Sequence, residues 1–361
     1  MKRIFTFIIA LLFLLTACGQ TNESAQETDK SDESNESKLN VITTVFAPYD
    51  FAKEILGDKA NVSMLTSPGA ETHSYEPTPK DIIRIQNCDV FIYVGGESDA
   101  WVDDILASMD TEKIEIITLI DCVPTVEEEI VEGMEHNHEH DDHEHDDHGH
   151  DEHDNHGHDE HDDHEHDNHE HDEHGHDEHD KNEDESKIDE HVWTSPKNAK
   201  LIVEKISSVF CELDAENSAE YESNTAEYIL KLDELDAKFQ DVVDNAARKT
   251  IILGDRFPFR YFVDAYELSY FAAFPGCSDE TEASAATIAF LIDKVKDENI
   301  PVVFHAEMSN KKMAEVIGES ANAEVLLLHS CHNVSKDELE SGATYLDLMN
   351  QNVENLRKAL K

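Results

Sequence analysis

At 361 residues the chain is long enough for two domains of ordinary size, each with a sizeable core. Its 28 Lys and Arg stand against 82 Asp and Glu, a formal net charge of −54, which argues against nucleic acid and anionic membrane surfaces as partners. Such a molecule attracts cations.

In chain order, Met1-Lys-Arg3 is a short positive start and 4–15 an apolar run too short to span a membrane comfortably, closed by Leu15-Thr-Ala-Cys18. This pattern is similar to a bacterial lipoprotein signal, with 1–18 as signal peptide and lipobox and Cys18 as the lipidated residue. Residues 19–38 are Ser, Glu, Asp, Asn and Gln with almost nothing apolar, a disordered tether. Folding is expected from Leu39 onward, outside the cytoplasmic membrane. From there strand-like stretches at 41–45, 61–66, 90–94 and 114–119 alternate with helix-like stretches at 48–56, 79–87 and 100–109. That alternation predicts an α/β lobe with a parallel sheet, whose functional loops gather at the carboxyl ends of its strands.

Residues 136–180 interrupt the pattern. Eighteen of the chain's 23 His lie there with twenty-one acids and no Lys or Arg, so the stretch cannot build a core. Imidazole nitrogen and carboxylate oxygen are the donors that borderline-soft divalent cations prefer, and their density makes many weak, exchangeable sites. The stretch reads as a metal-collecting loop within an N-terminal lobe over 39–213. It runs out into Asp189-Glu-His-Val-Trp193, followed by a helix over 196–213.

A longer helix is expected over 216–246, where Tyr221, Tyr228, Leu235 and Val242 recur every seven residues beside Thr225, Leu232, Phe239 and Ala246. At 1.5 Å per residue it spans about 45 Å, enough to bridge two lobes as a rigid link over 214–247. The strand and helix alternation then restarts in a second α/β lobe over 248–361. The fold class is α/β, two parallel-sheet lobes joined by one long rigid helix.

Outside the His-rich loop only His73, His191, His305, His329 and His332 remain. Several imidazoles at strand ends, in a chain that carries a His-rich bait, point to a metal site. Five cysteines follow Cys18, namely Cys88, Cys122, Cys211, Cys277 and Cys331; an odd count leaves one unpaired, and Cys277 with Cys331 is the expected pair. No His-Glu-x-x-His segment or base-plus-nucleophile set speaks for a zinc hydrolase, so the chain is read as no enzyme.

His73-Ser-Tyr-Glu-Pro-Thr-Pro79, the acidic His loop, Asp189-Glu-His-Val-Trp193 with Pro196-Lys-Asn-Ala199, the long helix and Tyr345-Leu-Asp-Leu-Met-Asn-Gln-Asn-Val353 occur together. In that combination the chain resembles the zinc-binding solute-binding lipoproteins of bacterial zinc/manganese ABC importers. The resemblance covers 39–361. It implies Zn²⁺ held mainly by His in an interlobe cleft and handed to an ABC permease and its ATPase, from a lipid anchor on the extracytoplasmic face of the cell membrane.

Carried over by position, His73 and His191 match the family's first two ligands. At the third, where the family has His, this chain reads Gly254-Asp-Arg-Phe257. After the last strand, where the family has Asp, it has His329. The inferred set is His73, His191 and His329, with Asp255, Glu307 or water completing a tetrahedron and His332 the rival of His329; Cys331 is a thinner alternative. Asp189 and Glu190 are expected to orient His191, and Arg256 and Arg260 to form ion pairs that support their turn. Three imidazoles and one oxygen favour Zn²⁺, with a manganese-preferring importer component and a surface metal store or adhesin as the alternatives. Imidazole ligation also implies that capture weakens below a pH of about 6.5.

Overall fold

A computed structural model describes residues 38–71, 75–134, 187–278 and 283–361. The signal and tether, Cys18, His73 and the His-rich loop over 136–180 lie outside the described residues.

The chain lays down β1 (Leu39–Thr43), α1 (Phe46–Leu56), β2 (Ala60–Met64), α2 (Pro79–Gln86), β3 (Val90–Tyr93), α3 (Ala100–Ser108) and β4 (Glu115–Thr118). Two helices follow, α4 (Pro196–Leu213) and α5 (Ser218–Asp244). The second series is β5 (Thr250–Phe257), α6 (Arg260–Tyr266), β6 (Ser269–Pro275), α7 (Ala285–Asp297), β7 (Val302–His305), α8 (Lys312–Ala321) and β8 (Glu324–Leu327), closed by α9 (Lys336–Ser341) and α10 (Tyr345–Ala359).

Both sheets are four-stranded and parallel, in the orders β2-β1-β3-β4 and β6-β5-β7-β8. Strands buried on both faces need unbroken apolar runs, and β3 (Val-Phe-Ile-Tyr) and β7 (Val-Val-Phe-His) supply them. Helix starts are written locally. Thr78 with Asp81, Ser335 with Glu338 and Thr344 with Asp347 close capping boxes that satisfy the first free N–H groups of α2, α9 and α10.

In each sheet the strand order reverses between its two central strands, β1 and β3 in one, β5 and β7 in the other. At such a switch point the outgoing loops diverge and leave a crevice at the carboxyl ends.

Helix α5 has 27 residues, about 40 Å, and buries Tyr221, Tyr228, Leu232, Leu235, Phe239 and Val242 along one stripe. Near its start Asn224 Nδ2 donates to Ile55 O of α1 (2.9 Å); towards its end Phe239 packs edge-on against Phe262 of α6, 4.9 Å between ring centres. The bridging helix read from the seven-residue spacing is therefore present. The two sheets do not carry separate cores, however. One continuous cluster runs from Val41 and Phe51 through Trp193, Phe210 and Tyr228 to Leu253, Phe304 and Leu356, and only the outer faces of the sheets have clusters of their own. Helices α1, α4, α5 and α10 contribute their apolar stripes to this one cluster and fuse what length alone divides in two.

Candidate metal centre

The chain enters from position 187 already tied down. Lys187 O accepts Glu128 N (2.7 Å), Val126 O accepts Asp189 N (3.0 Å), and the Tyr261 hydroxyl donates to Asp189 O (2.8 Å). These bonds fix Asp189 before a 3-10 turn, Val192–Thr194. Asp189 Oδ1 then accepts both the backbone N–H of His191 (2.8 Å) and its ring Nδ1–H (3.2 Å). That arrangement selects the tautomer whose Nε2 carries the lone pair, the usual outer contact of a metal-ligating His. His191 is wholly buried. Burial opposes its protonation, but the adjacent Asp189 carboxylate outweighs burial and holds the ring well above the ordinary imidazole range. Glu190 turns the other way, its Oε1 accepting Ser98 N (2.8 Å).

The partner ring comes from the segment after β8. His332 stands nearly perpendicular to His191, with ring centres 5.2 Å apart at 85°, and Trp193 lies edge-on to both. Two imidazoles on one tetrahedral zinc, with Zn–N about 2.1 Å and the ring centre about 1.2 Å further, have centres ~5.4 Å apart. The spacing fits a shared ion.

His332 opens onto a cavity of about 230 Å³ whose wall also includes Asp255, Glu307, Ala70, Glu71 and Asn333. Asp255 reaches it through a register shift between Leu253 and Arg256 in β5, and its carboxylate accepts Arg256 N (2.9 Å) and Ala306 N (3.0 Å). Gly254 before it must be glycine, because a Cβ there would lie 2.6 Å from Ala314 Cα of α8. Gly276 is similarly forced, since a Cβ would stand 2.8 Å from Phe257 O and 3.4 Å from His191 Cε1.

Glu307 is occupied with the turn itself. One oxygen accepts Ser330 N (2.8 Å), the other the Ser330 hydroxyl and His332 N (3.1 Å). His329 also does structural work. Asn352 of α10 brackets its backbone, accepting its N–H (2.8 Å) and donating to its carbonyl (2.7 Å), while its Nδ1 accepts Cys331 N (2.9 Å). With that lone pair taken, the neutral ring carries its proton on Nε2, which is buried without a hydrogen-bond partner among the described residues and lies 3.9 Å from Glu338 Oε1. The structure brings His191 together with His332 and places His329 behind that turn. Among the described residues no three ligand-type side chains converge on one point.

The expected Cys277–Cys331 disulfide is corrected: both thiols are free. Cys331 is fully buried under the His332 turn, whereas Cys277 sits at His191, its thiol sharing a hydrogen bond with the ring and its N–H donating to Glu128 Oε1 (2.8 Å). Sequence reasoning missed this contact, and no spacing signals it. Arg256 and Arg260 do form ion pairs, with Glu71 (3.1 Å) and with Glu129 (3.4 Å) and Asp264.

The sequence model of the family described as zinc-uptake complex component A, periplasmic (ZnuA), matches residues 41–359. The high-affinity zinc uptake system protein ZnuA of Bacillus subtilis is 31% identical over 355 residues, 98% of this chain and 96% of that one. The zinc-binding lipoprotein AdcA of Streptococcus pneumoniae is 27% identical over 362 residues, and the chain spans 61% of its length. Among solved structures, the metal-dependent lipoprotein YcdH of Bacillus subtilis superposes with a TM-score of 0.66 at 27% identity, covering 90% of this chain and 100% of that one.

Proposed function

Since the chain belongs to the family of zinc-uptake complex component A, we propose that it is an extracytoplasmic solute-binding protein that captures Zn²⁺ between its two sheets and delivers it to an ABC permease. It is a transport component and not an enzyme. The observation that carries the reading is the perpendicular pair His191 and His332 at close to the spacing of a shared tetrahedral ion, with His332 on the wall of a cavity at the carboxyl ends of the strands and His191 buried behind it. Asp255 supplies the oxygen from that wall, and His73, the family's first ligand by position, completes three imidazoles. Such a set prefers Zn²⁺ to the harder Mn²⁺. Cys18 anchors the protein by its lipid; among the described residues no helix is long and apolar enough to cross a membrane.

The His-rich loop raises the local metal concentration beside this site, because only ten residues of sequence separate its end at 180 from His191. Removing 135–180 and titrating Zn²⁺ and Mn²⁺ in parallel tests the whole reading. One tight Zn²⁺ site is expected to survive. Loss of nearly all capacity would mean that the loop itself is the binding element and the protein a surface store.

Asp189 carries a second expected result. Asp189→Asn keeps an oxygen that can accept from the His191 ring but removes the charge that makes the ring basic, and should lower zinc affinity about 10–100-fold. Metal must displace the His191 proton, so wild-type affinity should begin to fall at a pH above 6.5 as the solution is acidified; in Asp189→Asn that threshold moves down. Zinc titrations across neutral and mildly acidic pH read both effects. Identical pH profiles would remove Asp189 from this role.

A further inference from the structure

The segment after β8 is stitched to the N-terminal half of the molecule by every second carbonyl. Ser330 O accepts Trp193 Nε1 (2.8 Å), His332 O accepts Phe46 N at the start of α1 (2.9 Å), and Val334 O accepts Gly69 N (2.8 Å). Asn333 lies between the last two and is 1% exposed. Its side chain uses all its usual polar contacts: Oδ1 accepts Val334 N (2.8 Å), while Nδ2 donates to Ser67 O (2.9 Å) and to Ala70 O (2.8 Å). Ala70 and Glu71 line the cavity together with Asp255, and Asn333 bonds to the carbonyls at both ends of the 67–70 turn.

We propose that Asn333 is a positioning residue that clamps the 67–70 turn against the neighbour of His332 and so sets how long captured metal stays in the cavity. The inference rests on the reading of His191 and His332 as donors. Asn333 donates nothing to the ion. It holds the side of the cavity that comes from the first sheet against the side that carries the imidazole, and an ion leaves when those sides part. The amide is required because two carbonyls converge on one nitrogen: a carboxylate of the same shape would face both with lone pairs, and a methyl would take from Ala70 O its side-chain donor and leave Ser67 O with the Ala70 N–H alone.

The test is zinc release from the full chain, loaded with one equivalent, into excess chelator. Release from exchangeable loop imidazoles is fast and release from the cavity is the slow phase. Asn333→Asp and Asn333→Ala should each speed the slow phase about tenfold or more, the loss expected when two buried hydrogen bonds go. Association should change little, and the melting midpoint of the metal-free protein is recorded beside the rates. A residue with only a fold-maintaining role would lower that midpoint and leave the slow phase unchanged at temperatures well below it. An unchanged slow phase in both variants, with His191→Ala abolishing it, overturns the role of Asn333 and leaves the donor reading standing. A slow phase that survives both His191→Ala and His332→Ala overturns the donor reading and this inference with it.

Discussion

His332→Ala should weaken the tight zinc site by more than ~100-fold, beyond what loss of a metal-orienting neighbour costs, while His329→Ala should leave zinc affinity within a few-fold. The two side chains are three residues apart and both nearly buried, but they face different chemistry. His332 lines the cavity and meets the buried His191 ring across 5.2 Å. His329 gives its Nδ1 lone pair to Cys331 N–H and turns its protonated nitrogen toward Glu338. Removing His329 deletes a buried acceptor and opens a cavity, so it should cost about 2–4 kcal/mol of stability. Titration calorimetry and thermal melts on both variants, in protein lacking 135–180, separate the two roles. Loss of the tight site in His329→Ala with retention in His332→Ala would reverse the assignment.

Why the sequence left these two histidines as rivals has a physical answer. The turn that separates them is set by Cys331, which takes the left-handed region at φ 60° and swings the following residue toward the cavity. A glycine there would have marked the reversal; a cysteine leaves no sign. The pairing of Cys277 with Cys331 failed for the same reason, since the turn sends Cys331 inward, away from Cys277 at His191. What was legible was local. The strands of both sheets and the stripe on α5 follow from spacing within single elements. The shared core was not, because periodicity shows which face is buried and not what covers it. His191 was legible because Asp189 stands two residues before it, close enough for one oxygen to hold both its backbone and its ring.

Asp50→Asn should stabilise the protein at alkaline pH and change little at acid pH. Asp50 lies in α1, 5% exposed, and its carboxylate accepts Tyr345 N at the first turn of α10 (2.9 Å), a bond that ties the first lobe to the last helix. Burial pushes its pKa from 3.8 up to about 7, against the pull of that backbone N–H, with Glu54 adding to the rise. A folded-state value above the unfolded one means that the protonated carboxyl is the form the fold prefers. Its contribution is complete below pH 3.8 and drains away as pH rises toward about 7, where the folded protein also ionises. Asparagine keeps an oxygen for Tyr345 N–H and never ionises. Relative to Asp50→Asn, the wild type should therefore lose stability from about pH 4 to pH 7 and hold a constant deficit above that, capped at ~4 kcal/mol by ~1.4 kcal/mol per pH unit. Chemical denaturation of the two proteins in parallel across this range measures the difference directly. A gap that stays constant with pH would mean that Asp50 ionises in the fold as freely as in the open chain, and that the contact between α1 and α10 carries a full charge at neutral pH.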